Sequence, residues 1–152
     1  MAYFKKFVLY VIAVMMLVAN CTNKPNIEVT IRKQIEHECL NDSCTVNLNQ
    51  ALQFDWDKMV AFSDAAPPEV INDAIGIKYP NFVEFTRPFI FLKKNKIVHY
   101  ENNILDNEGP IDGRVIFNHP DSVKYAIYFR KNTIFKVKKV HFGREIAYLL
   151  SQ

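Results

Sequence analysis

Apolar and polar positions alternate along the chain at two different periods, and the periods divide it into elements. Ile27, Ile31, Ile35 and Cys39 recur every four residues, which predicts a helix over 26–39 with one apolar stripe. Asn26 is placed to cap it, and Glu28 falls in the first turn, where a carboxylate complements the helix dipole. Val46 and Leu48 alternate with polar residues and predict a short strand over 45–52. Phe54, Trp56, Val60 and Phe62 fall on one face at period two, with Asp55 and Asp57 on the other, so 54–62 reads as a half-buried strand anchored by its tryptophan. Pro67 and Pro68 suit a helix start. Val70, Ile71, Ala74 and Ile75 supply its buried side, and Gly76 its left-handed stop.

The second half reads as antiparallel β. Residues 89–92 meet 97–100 across Lys93-Lys94-Asn95-Lys96, and 126–129 meet 134–137 across Arg130-Lys131-Asn132-Thr133. The two blocks echo each other at an offset of 37 residues. Asn tolerates the positive φ that tight hairpins need, so one turn solution used twice accounts for the echo. Asn107-Glu108-Gly109-Pro110 and Asp112-Gly113 mark turns around a short strand at 114–118, and 145–150 reads as a closing helix. The expected class is α+β: a twisted antiparallel sheet of about six strands with two or three helices on one face.

The first twenty residues follow a different pattern. Lys5 and Lys6 precede Phe7 to Ala19, thirteen residues without a charge. That run is too short to span a bilayer and fits a cleaved export signal. Val18-Ala19-Asn20-Cys21, followed by the polar stretch 22–26, resembles the lipobox of bacterial lipoproteins, with Asn20 where Gly, Ala or Ser is usual. The resemblance covers the first 21 residues. It implies a signal peptide over 1–20, lipidation of Cys21 with palmitate-type acyl chains and a lipidated tether over 21–26, while length and periodicity read the rest, 27–152, as a single α+β domain. Thr22 in place of Asp implies sorting to the outer membrane, facing the periplasm, in a Gram-negative source. The Phe-Asp-Trp-Asp-Lys-Met run at 54–59 is similar to a motif of small bacterial lipoproteins of uncharacterised type, over roughly residues 45 to 100, and implies fold class and location but no chemistry.

Export gives the remaining cysteines a disulfide-permissive compartment, and Cys39 and Cys44 close a tight loop. The alternatives are two free thiols, zinc with His37, or redox chemistry. His-x-Cys is a poor chelating spacing without a second ligand pair, and Cys-x-x-Cys is missing.

Charge removes one function class. The net charge of +3 includes Lys5 and Lys6, and the exported chain holds 17 basic against 16 acidic residues, which gives no compositional case for nucleic-acid binding. Asp55 and Asp57 have the Asp-x-Asp spacing that can chelate a divalent ion, but no further ligands can be named, so a solvated strand face is expected and no metal or cofactor. His37, His99, His119 and His141 are scattered, and the serines lack a Gly-x-Ser-x-Gly elbow. The basic stretch Arg130, Lys131, Lys136, Lys138, Lys139 and Arg144 reads as edge-protecting lysines or as a contact for anionic head groups.

A non-enzymatic protein-binding module of the cell envelope is therefore expected, in its sharper form an immunity protein against a periplasm-acting toxin. Asp55, Asp57 and Asp64 are the candidate partner-binding residues, suited to a basic cleft. A structural or envelope-assembly lipoprotein is the alternative, and a small hydrolase stands behind both.

Overall fold

The fourfold isoleucine spacing becomes helix α1 (Ile27–Glu38), with Ile27, Ile31 and Ile35 buried. Its start is the capped one expected, because the Asn26 side chain accepts a hydrogen bond from the Val29 amide at 2.8 Å. A computed structural model describes residues 26–104, 111–119 and 124–152. The leader, Cys21 and the turn expected at 107–110 lie outside the described residues.

Beyond α1 the described elements are β1 (Ser43–Asn47), the helical turn α2 (Leu48–Ala51), β2 (Lys58–Phe62), α3 (Pro68–Ile75), β3 (Thr86–Lys93), β4 (Lys96–Ile104), β5 (Val115–Phe117), β6 (Tyr125–Phe129), β7 (Ile134–Phe142) and β8 (Glu145–Ser151). The class is α+β. The strands divide between two four-stranded sheets, ordered β1-β7-β8-β5 and β4-β3-β2-β6. Every pairing is antiparallel except that of β5 with β8.

Two cores follow from this layering. The larger lies between the sheets and under α1, and gathers Ile31, Trp56, Met59, Phe89, Phe91, Phe117, Phe135 and Leu150. The smaller lies on the far face of the second sheet, where Val60, Phe62, Ile90 and Leu92 meet Ile71, Ala74 and Ile75 of α3. The helices thus cover opposite faces of that sheet, and β2 and β3 are buried on both sides. Gly76 ends α3 at φ 77°, as its left-handed stop position requires.

Five expectations are corrected. Residues 54–62 are not one strand. β2 begins at Lys58, so Trp56 belongs to the larger core and Val60 and Phe62 to the smaller, which the shared period had merged into one face. The strand expected over 45–52 stops at Asn47, where the asparagine side chain caps α2 through the Asn49 amide at 3.0 Å. The echo at 126–137 is not a second hairpin: β6 pairs with β2, and β7 pairs with β1 and β8 in the other sheet. Residues 145–150 form a strand, joined to β7 by a two-residue turn that starts at Gly143, φ 66°. β7 is interior to its sheet, so its lysines do not guard an edge; Lys136 and Lys138 point outward to solvent while Phe135 and Val137 point inward.

The hairpin of β3 and β4 does form as expected. Lys93 pairs with Lys96, and both central residues have positive φ, 49° at Lys94 and 58° at Asn95, the geometry of a type I′ turn.

Candidate partner-binding groove

Asp55 and Asp57 flank Trp56, whose fully buried ring packs edge-on against Phe91 with centroids 5.5 Å apart. With the tryptophan turned inward, both carboxylates are held at the surface, at the end of the sheet that carries the β3–β4 turn. Asp55 forms ion pairs with Lys93 at the end of β3 and Arg130 just past β6. Asp57 extends the sheet by one step: its amide donates to the Leu92 carbonyl at 2.7 Å, and its carbonyl accepts from the Arg130 amide at 3.1 Å. Its side chain accepts from the Lys94 amide at 2.7 Å and so closes the turn.

Asp57 also lines a groove of about 360 Å³ with Lys58, Leu92, Asn95, Ile127 and Phe129. The groove exists because α3 covers only part of the sheet. Lys58 Nζ reaches the Ile75 carbonyl at the end of α3, 3.4 Å away, and beyond that contact the face of β6 is bare. In register, Ile127 lies opposite Val60 and Phe129 opposite Lys58. Ile127 is 40% exposed and Phe129 50%. Tyr128 points the other way and is locked in the larger core against Phe117 and Phe135, at centroid distances of 5.5 and 5.0 Å.

β6 is the outermost strand of its sheet and, among the described residues, pairs with β2 alone. Its sequence, Tyr-Ala-Ile-Tyr-Phe, holds no charge and no proline, the usual means by which an edge discourages pairing. An uncharged edge with apolar side chains beside a groove is what an added strand from another chain requires. Of this groove the sequence singled out Asp57 alone; the edge strand was not legible as a site, because the false hairpin with 134–137 had already used its pairing capacity. Its alternation of apolar side chains across both faces was the available signal.

Asp64 lies past the other end of β2, exposed, with its carboxylate accepting from the Ala65 amide at 2.7 Å. The three aspartates therefore do not form one patch. Asp55 and Asp57 stand together beside the groove and Asp64 stands apart.

A second cleft, about 470 Å³, opens between α1, the chain after α2 and β4, and is lined by Ile27, Leu52, Phe54, Val98 and His99. His99 is buried and stacks on Phe54 with centroids 5.0 Å apart. Its Nε2 stands 3.7 Å from Glu101, but that carboxylate is committed to the Ile27 amide at the start of α1. The histidine and the Asp55/Asp57 pair thus face different clefts. Among the described residues, no three His, Cys, Asp or Glu side chains are grouped to hold a metal.

Cys39 and Cys44 are brought to bonding distance, Cα atoms 5.5 Å apart, and link the end of α1 to β1. No described helix is long and apolar enough to cross a membrane. No family model, curated protein or solved structure matches the chain.

Proposed function

We propose that the chain is a lipid-anchored module of the bacterial cell envelope that binds another protein without catalysing a reaction, and that the partner adds to the free edge of β6. The anchor rests on the leader and on Cys21 with its lipobox-like surroundings. Binding rests on one observation above the others: Ile127 and Phe129 are exposed beside a groove on an uncharged edge strand. A partner strand would pair with the β6 main-chain groups that no described strand pairs, and set alternate side chains against Ile127 and Phe129. The charged residues lining the groove are Lys58 and Lys94 against the single carboxylate of Asp57, a balance of one positive charge that favours a partner carrying acidic residues.

An immunity protein against a periplasm-acting toxin is the sharper form of this reading. Deleting the gene is then expected to sensitise cells to their kin. Unchanged survival in mixed culture would count against immunity and leave an envelope-assembly partner. The binding claim is tested by co-purification of the tagged full chain from its own host, beside an Ile127→Lys variant. One stoichiometric partner lost from the variant is expected, and capture indifferent to the substitution would move the interface away from β6.

A further inference from the structure

At the opposite end of the β3–β4 hairpin from the groove, the chain exposes a second apolar surface. Val83 is 50% exposed, Phe85 76% and Ile104 78%. Phe85 precedes Thr86, whose register partner is Ile104, so the surface gathers around the open end of the hairpin.

This end is braced. Tyr79 is fixed at both ends, its amide donating to the Asn72 side chain at 2.6 Å and its hydroxyl to the Asn102 side chain at 2.9 Å. Asn102 in turn donates to the Asn81 carbonyl at 2.8 Å, and the Thr86 hydroxyl to the Val83 carbonyl at 2.7 Å. Within this frame Phe85 adopts φ 57°, a conformation that bulky side chains avoid. Such strain persists only where the surroundings enforce it. Here it holds an aromatic ring out in solvent.

The start of the domain lies at the same end. Arg87, two residues beyond Phe85, faces Glu28 in the first turn of α1 at 3.5 Å, and the Ile27 amide is held by Glu101, three residues before Ile104. Three strand residues span about 10 Å. The six steps from Cys21 to Ile27 reach up to about 20 Å when extended, so a lipid on Cys21 comes within range of this surface.

We infer that Val83, Phe85 and Ile104 are a membrane-contact surface that seats this end of the domain on a lipid bilayer. The inference rests on the proposed lipid anchor. Glu84 lies exposed between Val83 and Phe85, so the contact suits a zwitterionic surface and apolar insertion rather than attraction to anionic head groups. Seated in this way, the domain holds the β6 groove about 25 Å away along β3.

The test places tryptophan reporters in the full chain, expressed in an exporting host and reconstituted into phosphatidylcholine vesicles with brominated acyl chains. Phe85→Trp and Ile104→Trp report on the surface, Phe129→Trp on the groove, and the unsubstituted chain supplies the background of the buried Trp56. The mass of the N-terminal peptide reports the lipid on Cys21. Quenching of the added emission by about twofold or more at 85 and 104, with little at 129, is the expected result. A lipidated chain with both surface reporters unquenched overturns the membrane contact alone. A chain carrying no lipid on Cys21 overturns the anchor and the membrane contact together.

Discussion

Asp55 and Asp57 are separated by one residue and stabilise the fold in different ways. Asp55 holds two cations at the surface, where ion pairs are worth little and salt screens them. Asp57 closes the turn through the Lys94 amide, a hydrogen bond worth about 1 kcal/mol. Asp57→Ala is therefore expected to lower unfolding stability by about 1 kcal/mol at any ionic strength, and Asp55→Ala by less than about 1 kcal/mol, a loss that fades in 1 M salt. Urea unfolding at two salt concentrations separates them. The sequence made both aspartates legible as surface groups through their alternation with Trp56. Their partners Lys93, Lys94 and Arg130 lie 37 to 75 residues away, and no local spacing encodes such pairings.

At the scale of elements, local signals were reliable where an element satisfies itself. The cap at Asn26, the stop at Gly76 and the Lys94-Asn95 turn all depend on groups a few residues apart, and each stands where the sequence places it. Pairing between sheets was not legible. Residues 126–137 look like the 89–100 hairpin, but the chain leaves one sheet for the other at 130–133, with the Asn49 side chain donating to the Arg130 carbonyl at 3.0 Å. Glu28 carries a similar lesson. Its dipole position was readable, yet it also accepts from the Val115 amide at 2.8 Å and faces the buried Arg87, whose guanidinium burial pulls below its ordinary pKa while Glu28 opposes the shift. Glu28→Gln keeps an acceptor for Val115 but leaves Arg87 without its carboxylate. A loss of about 3 kcal/mol is expected in urea unfolding, against less than about 1 kcal/mol for the exposed Asp55. At the end of α1, loss of the Cys39–Cys44 link by Cys44→Ala is expected to cost about 2 kcal/mol, the entropy of so short a loop.

At the scale of the whole molecule, the surface of Val83, Phe85 and Ile104 and the Ile127/Phe129 groove lie at opposite ends of one hairpin. One lies beside the start of α1, and the other lies on β6, distant from it. On the proposed reading, a lipid bilayer takes the first and a protein partner the second. The fold class was readable because periodicity reports it. The separation of the two surfaces is a product of sheet order, which the sequence does not display.

The most direct test is photo-crosslinking in the native host, with a photoreactive residue at position 127 and, in a parallel strain, at Lys136 on the outward face of the other sheet. A single cross-linked species of defined mass at 127, with none at 136, is the predicted result. Equal cross-linking at both positions, or none at 127 in a folded and lipidated chain, would contradict a partner seated on the β6 edge.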